Sequence, residues 1–127
     1  METKQVLSIE QMNHLQELGL DTSDASMCLE WKVTDEDNMF VNSIISDSNY
    51  DFYHPTYTLQ DILDKLPPSI GNNTLTLQRH GDKWMCLYIE PYTRYSLHME
   101  IKEKCIYAAY NMLCWCIENG YIGKEGE

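Results

Sequence analysis

Residues 74–90 read TLTLQRHGDKWMCLYIE, and this stretch decides the fold. Its first half alternates leucine with polar residues, which is the period of a strand with one buried face. Gly81 and Asp82 then supply a turn of the kind that joins antiparallel strands. The run after the turn is apolar on both faces, which is typical of a central strand. The stretch therefore predicts a β-hairpin over residues 74–79 and 84–90, with its second strand inside a sheet.

On the C-terminal side, residues 99–119 contain no Gly or Pro, and Gly120 follows them. Their apolar residues recur at helical spacing around nearly the whole circumference, which predicts the longest helix of the chain. A helix of this kind must be covered by other structure. The simplest architecture lays it across an antiparallel sheet of about four strands, to which residues 92–98 would add a strand. If the chain did not cover the helix, a homodimer would.

Two shorter helices are predicted on the N-terminal side from their capping patterns. In each, a Ser or Thr whose hydroxyl can accept a hydrogen bond stands three residues before a Gln or Asp. The caps and spans are Ser8 with Gln11 for residues 9–18, and Thr58 with Asp61 for residues 59–66. Gly19 and Pro67 supply the stop signals.

Between these helices, residues 27–34 alternate apolar and polar side chains, which predicts a half-buried strand. An acidic loop breaks the pattern, and residues 39–45 are β-prone enough to return as the hairpin partner. Residues 46–57 are interpreted as a long ordered loop or an edge strand. Taken together, the patterns predict one α+β domain over residues 1–127. In it, an antiparallel sheet of about four strands packs against a long C-terminal helix, with two short helices.

The composition is that of an ordinary globular protein, with 43% apolar and 23% charged residues. Residues 1–10 lack the apolar core of a signal peptide, and the apolar stretch at residues 105–117 is too short to span a bilayer. The five cysteines are odd in number and have no framework spacing, which predicts free thiols rather than disulfides. These features predict a cytoplasmic protein that does not act at a membrane.

The net charge of -11 is unevenly distributed. Between Asp21 and Asp64 the chain holds ten acidic residues and one basic residue, Lys32. A field of this sign repels nucleic acid and anionic membranes and attracts basic surfaces. The sequence therefore predicts an unidentified protein partner of basic character and no direct binding of nucleic acid.

An aromatic cluster lies next to this acidic stretch, within residues 50–57. Tyrosine is favoured at interfaces because it offers a large contact area at a small entropic cost. Together the two features predict a binding surface formed by Asp35, Glu36, Asp37, Tyr50, Tyr53, His54 and Tyr57. The alternative is that the segment folds its aromatic rings onto the core of its own domain.

No signature of a catalytic, metal or cofactor site is complete in the sequence. Asp47, Asn49 and Asp51 have the opening spacing of a calcium loop, but Phe52 stands where the loop requires glycine. The four histidines are scattered singly and no Cys-x-x-Cys pair occurs, so no zinc site is predicted. Gly-rich phosphate loops and the Gly-x-Ser-x-Gly elbow are also missing. The sequence therefore predicts no cofactor and favours a non-enzymatic protein.

Three stretches of the chain form a recognisable set. They are residues 4–12 (KQVLSIEQM), 57–67 (YTLQDILDKLP) and 113–121 (LCWCIENGY). Together they resemble a group of short uncharacterised proteins from gut bacteria, which often occur in prophage-like or other mobile regions. The group has no established activity, so the resemblance implies a mobile-element context and assigns no function to any residue.

These observations favour a small non-enzymatic interaction or accessory protein with an acidic, aromatic binding surface. In a sharper form of this hypothesis the protein mimics nucleic acid, and its carboxylates take the place of phosphates in a basic groove. The alternative is a small-ligand-binding domain or enzyme whose pocket lies between the sheet and the last helix. Tyr88, His98 and Tyr110 would line that pocket, which requires an apolar cavity with convergent polar groups.

Overall fold

A computed structural model of the chain describes residues 6–31, 39–43 and 53–122. Within these ranges the chain forms three helices and seven strands. In chain order the elements are α1 (Ile9–Glu17), β1 (Met27–Trp31), β2 (Met39–Ser43), β3 (Tyr53–Thr56), α2 (Leu59–Lys65), β4 (Ser69–Ile70), β5 (Asn73–His80), β6 (Lys83–Ile89), β7 (Ser96–Lys102) and α3 (Cys105–Glu118).

The predicted α+β fold is confirmed. Strands β4 to β7 form a four-stranded antiparallel sheet in the order β4-β5-β6-β7, and α3 packs on β6 and β7. The hairpin of β5 and β6 turns at Gly81, whose φ of 64° suits glycine because it has no Cβ to clash. β6 lies between β5 and β7, so it is the central strand that its two apolar faces predicted.

The N-terminal strands form a second sheet of three antiparallel strands, in the order β2-β1-β3. The predicted hairpin is confirmed for its described part, since Met27 pairs with Ser43 and Trp31 pairs with Met39. Residues 32–34 of the first predicted strand and 44–45 of the second lie outside the described residues. β3 pairs with the other side of β1, which confirms the edge-strand interpretation for that part of the chain.

Both short helices begin as their capping patterns predicted. The Gln11 backbone N–H donates to Ser8 Oγ at 3.1 Å, and the Ser8 N–H donates to Gln11 Oε1 at 2.9 Å. The same exchange joins Thr58 and Asp61, with distances of 3.0 and 3.2 Å. Each reciprocal pair satisfies two backbone donors that the start of a helix would otherwise leave without a partner.

The prediction was wrong about the junction between the last strand and the last helix. We expected a strand over residues 92–98 and a helix from about Met99, whereas β7 occupies Ser96–Lys102 and α3 begins at Cys105. Met, Glu and Lys are good helix formers, so local propensity does not separate the two elements. Pairing along the apolar strand β6 decides the outcome, because sheet context overrides propensity. The last helix is therefore only 14 residues long.

The core of the molecule lies between α3 and the surrounding elements. The buried residues of α3 are Ile106, Ala108, Ala109, Met112, Leu113, Cys114, Cys116 and Ile117. They join one cluster with buried side chains of α1, α2 and β6, and α3 contacts α2, β6 and β7. The helix is thus covered by its own chain, and a second copy is not required to cover it.

Candidate interaction surfaces

The predicted binding surface falls only partly within the described residues. Asp35, Glu36, Asp37 and Tyr50 lie outside them. Tyr53 and His54 belong to β3, where they pair with Glu30 and Leu29 of β1. The fold therefore places these two residues at an edge of the three-stranded sheet, directly before Tyr57 and the cap of α2.

Tyr57 lies in the core and not on a surface. Its side chain is 0% exposed. Its hydroxyl donates to Asp24 Oδ1 at 2.9 Å and also lies 3.2 Å from the Asp21 carbonyl oxygen. Burial first, and the nearby Asp24 carboxylate second, raise the pKa of Tyr57, so the hydroxyl stays protonated as a donor. Tyr57 therefore holds the loop after α1 in place and has no exposed ring to offer a partner.

Three carboxylates, those of Asp21, Asp24 and Asp61, lie near the hydroxyl of Tyr57, and a fourth, that of Asp64, is on the same helix as Asp61. We call Asp21, Asp24, Asp61 and Asp64 the acidic surface. Lys65 Nζ lies 2.6 Å from Asp24 Oδ2. The backbone N–H and the hydroxyl of Ser26 donate to Asp61 Oδ2 at 3.2 and 2.6 Å. Asp64 is one helical turn from Asp61 and is exposed.

Hydrogen bonds keep two of these carboxylates ionised. Burial opposes the charge of Asp61, but the donors from Ser26 and Thr58 outweigh it and lower the pKa of Asp61 below its ordinary value. The backbone N–H of Ser23 donates to Asp21 Oδ1 at 3.0 Å, and this bond together with the Ser23 hydroxyl lowers the pKa of Asp21. Asp21 and Asp61 are therefore held in place and keep their charge at neutral pH.

The alternative pocket was predicted at Tyr88, His98 and Tyr110, and the first of these fills the core. Tyr88 is 0% exposed, and its hydroxyl donates to the Pro67 carbonyl oxygen at 2.7 Å. Cys116 Sγ lies 4.0 Å from the same hydroxyl. Burial is the main cause of the raised pKa of Tyr88, which keeps this hydroxyl neutral. The side chain that was expected to line a cavity instead packs between the sheet and α3.

His98 pairs with Tyr88 across the sheet and is on the same face. Its imidazole stacks on the indole of Trp115, and its Nε2 lies 2.5 Å from Glu100 Oε2. Trp115 also stacks on Tyr121, with ring centroids 5.3 Å apart. His98 is thus held between a carboxylate and an aromatic ring, where it fastens β7 to α3.

Tyr110 lies on α3 within reach of Cys114, and the thiols of this region are inert. Burial raises the pKa of Cys86 to about 12 and those of Cys114 and Cys116 to about 11. Thiols with such pKa values stay protonated at neutral pH and are poor nucleophiles. In the part of the chain that the structure describes, no three His, Cys, Asp or Glu side chains converge as metal ligands would.

Two open grooves occur near the start of α3, at a different place from the predicted pocket. Their volumes are about 380 and 350 Å³. Lys102 and Tyr107 line both grooves. The larger one also touches the N-terminal turn of α1 through Ser8 and Gln11. None of Tyr88, His98 and Tyr110 contributes to either groove.

One exposed apolar surface was missed by the sequence-based prediction. Leu97, Met99 and Ile101 of β7 are 41%, 37% and 42% exposed, and we call them the β7 strip. Tyr92 and Tyr95, in the turn before β7, are 94% and 78% exposed. The signal was present, because Leu97, Met99 and Ile101 alternate with polar residues in the period of a strand. Assigning Met99 to the helix concealed it.

No helix in residues 6–31 and 53–122 is long and apolar enough to cross a membrane. Comparison with protein-family models, with curated proteins and with solved structures gave no match.

Proposed function

We propose that this chain is a small interaction protein whose acidic surface binds a basic partner protein. The observation behind the proposal is that Asp21, Asp24 and Asp61 all lie near the Tyr57 hydroxyl and accept hydrogen bonds from neighbouring groups. These hydrogen bonds already order the carboxylate side chains. Binding of a partner to them therefore does not cost the conformational entropy of ordering them. Complementary charge of this kind increases association rates and selects basic partners.

The surroundings of the acidic surface support the same proposal. Lys65 is the only cation that pairs with one of its carboxylates among the described residues, so most of the negative charge is uncompensated. Asp35, Glu36 and Asp37 follow β1, which begins directly after Ser26. In the sequence, β1 alone separates Ser26, which contacts the acidic surface, from the segment that contains the acidic loop. The proposed binding surface is their combination, with Tyr53 and His54 on the adjacent edge strand.

The filled core weighs against the alternative of a ligand pocket or active site between the sheet and α3. Tyr88 is fully buried with its hydroxyl bonded to the Pro67 carbonyl oxygen, and His98 is engaged by Trp115 and Glu100. The buried thiols have pKa values too high for nucleophilic catalysis at neutral pH. Free, buried thiols are also typical of a reducing compartment, which supports a cytoplasmic location as part of the proposal.

The experiment is affinity capture from bacterial lysate with the immobilised protein, at low and at high salt. The test variant is Asp21→Asn with Asp64→Asn, which removes two exposed charges without touching the Asp61 cap or the Tyr57 bond. The matched control is Glu103→Gln with Glu118→Gln, which removes the same charge elsewhere. We expect one basic protein to bind the wild type and the control, to be released by salt, and to be lost with the test variant.

Capture that persists at high salt and with the test variant would contradict the proposal, as would the absence of any captured protein. A further variant, Asp35→Asn with Glu36→Gln and Asp37→Asn, tests whether the acidic loop belongs to the same surface. Competition by duplex DNA tests the sharper hypothesis of nucleic-acid mimicry. If the carboxylates stand in for phosphates, duplex DNA displaces the captured protein from this chain, because the two compete for one basic groove.

A further inference from the structure

The two edges of the four-stranded sheet differ in how they are protected. The β4 edge is only two residues long and directly follows Pro67 and Pro68. Short strands and prolines are the usual means by which proteins prevent pairing at an edge. The β7 edge contains no proline, and after a β-bulge at Leu97 it runs regularly from His98 to Lys102. Within the described residues β7 pairs only with β6. β7 is therefore an open template for another strand.

The register of the sheet shows which backbone groups face this open edge. The two-residue loop at Gly81 and Asp82 makes His80 and Lys83 a hydrogen-bonded pair. Such pairs alternate with non-hydrogen-bonded pairs along an antiparallel ladder. Odd-numbered residues of β6, beginning with Lys83, therefore form the hydrogen-bonded pairs with β5. The peptide groups of the even-numbered residues of β6 point toward β7.

The same alternation continues onto β7. Cys86 pairs with Glu100 and Tyr88 pairs with His98, and these are the hydrogen-bonded pairs between the two strands. The backbone N–H and C=O groups of Met99 and Ile101 consequently point away from β6. The alternation stops before Leu97, because the register between the two strands shifts there by one residue in a β-bulge. Met99 and Ile101 thus combine exposed apolar side chains with outward-facing peptide groups.

The sequence of β7 is complementary to itself in the antiparallel direction. With a two-fold axis at Met99, each Met99 lies opposite the other, and Leu97 lies opposite Ile101 of a second copy. His98 then lies opposite Glu100 of the second copy, which is a favourable cross-strand pair. A shift by one residue would send the two β7 strips to opposite faces, so the apolar pattern excludes that register.

We infer that β7 pairs with β7 of a second copy of this chain around a two-fold axis at Met99, which joins the two sheets into one of eight strands. The distribution of charge favours this occupant. Residues 69–104 contain five Lys and Arg against four Asp and Glu, although the chain as a whole has a net charge of -11. Two strongly acidic chains can therefore meet at this sheet without the repulsion that their acidic surfaces would cause.

The dimer is independent of the proposed binding of a basic partner. The acidic surface belongs to the loop after α1 and to α2, and none of its residues is in the four-stranded sheet. The interface is isologous, since the same strand contributes from both copies, and it therefore closes at two chains.

Crosslinking tests the register directly. At a hydrogen-bonded antiparallel pair the Cα atoms are about 5.5 Å apart, a distance that a disulfide can span. We expect Met99→Cys to form a covalent dimer under mild oxidation. Leu97→Cys alone and Ile101→Cys alone should crosslink poorly, whereas an equimolar mixture of the two should crosslink. Wild-type protein controls for the native thiols.

Sedimentation velocity over a range of concentrations tests the association itself. Wild type is expected to sediment as a dimer, and Met99→Pro as a monomer, because proline removes an N–H that faces the open edge and not β6. Met99→Lys places like charges at the two-fold axis and should also give a monomer. Gln78→Lys makes the same change in charge on β5, on the same face of the sheet but away from the edge, and should leave the dimer intact.

Three outcomes would overturn the inference. They are a wild-type monomer at every concentration, a Gln78→Lys variant that dissociates as Met99→Lys does, and crosslinking by Leu97→Cys alone that equals that of Met99→Cys. The second would indicate packing of sheet faces in place of strand pairing. Circular dichroism establishes that each variant is folded, and Met99→Lys provides the comparison if Met99→Pro does not fold.

Discussion

The imidazole of His98 lies parallel to the indole of Trp115, with ring centroids 4.2 Å apart and planes inclined by 2°. His98 is on β7 and Trp115 is on the last turns of α3, so the stack joins the edge strand to the C-terminal helix. Glu100 holds the other side of the imidazole through its contact with Nε2. This arrangement explains how an edge strand with an exposed outer face remains fixed to the core.

Replacing Trp115 by alanine should lower the free energy of unfolding by about 3 kcal/mol, because the change removes a partly buried ring and two stacking contacts. Urea denaturation measures the change. Trp115→Phe keeps a ring at the site and should cost less than half as much. A loss below about 1 kcal/mol for Trp115→Ala would show that the stack does not hold β7 in place.

Tyr57→Phe should lower the free energy of unfolding by about 1 kcal/mol, since it removes one hydrogen bond to a charged acceptor that water can partly replace. It should leave affinity for a basic partner unchanged, because the ring is buried and the carboxylates remain. Denaturation and binding measured on the same variant separate the two effects. A large loss of affinity with unchanged stability would indicate that Tyr57 takes part in binding the partner.

Acid should destabilise the protein through Asp61. The folded pKa of Asp61 lies below its unfolded value, so the carboxylate contributes stability that is present above the unfolded pKa of about 3.9 and is lost as the pH falls through the folded pKa. Asp61→Asn should flatten this part of the curve of unfolding free energy against pH. Asp64→Asn is the matched control and should keep the slope. If the unfolding free energy of both variants depended on pH in the same way, the Asp61 carboxylate would not be the source of the acid destabilisation.

The buried thiols should react slowly in the folded protein. Cys86 and Cys116 are 0% exposed, and burial raises their pKa values to about 12 and about 11. After a short treatment with iodoacetamide at pH 8, peptide mass spectrometry should find both thiols unmodified, and both should react once denaturant is added. Rapid modification of Cys86 in the folded state would indicate that the sheet and α3 separate readily.

Thr58→Ala should lower the free energy of unfolding by about 1 kcal/mol, because it removes the hydroxyl that caps α2. Thr58→Ser keeps the hydroxyl and should retain most of the stability. Chemical denaturation of the two variants tests this. Equal stability of the serine and alanine variants would mean that Asp61 and Ser26 fix the start of α2 without the cap.

Elements defined by neighbouring residues were predictable from the sequence. Ser8 with Gln11 and Thr58 with Asp61 fixed the starts of α1 and α2, since each capping box involves residues only three positions apart. Gly81 and the alternating leucines fixed the hairpin of β5 and β6 for the same reason. The α+β class followed from these local signals, together with the apolar circumference of α3.

The candidate sites depended on residues that are distant in the sequence, and there the sequence was less informative. Tyr57 was predicted to belong to an exposed aromatic surface, but its ring is buried. Its hydroxyl donates to Asp24 and contacts the Asp21 carbonyl oxygen, and both residues are more than thirty positions earlier in the sequence. Tyr88 and His98 were predicted to line a pocket beside the last helix. The packing of the sheet against α3 buries Tyr88 completely, and no pattern along the sequence indicates this. The sequence predicted an excess of negative charge in this part of the chain. The positions of the carboxylates depend on contacts between α2 and the loop after α1.

The sequence by itself determined the caps, the central hairpin, the apolar last helix and the uneven charge, because each depends on residues close in the chain or on composition. The tertiary structure alone decided that residues 99–102 join β7 instead of α3. Their helical propensity is adequate, but pairing with β6 gives the backbones of Glu100 and Lys102 hydrogen-bond partners and lets His98 reach Trp115. That choice exposes Leu97, Met99 and Ile101 at the sheet edge, since a strand has two faces and α3 covers only one.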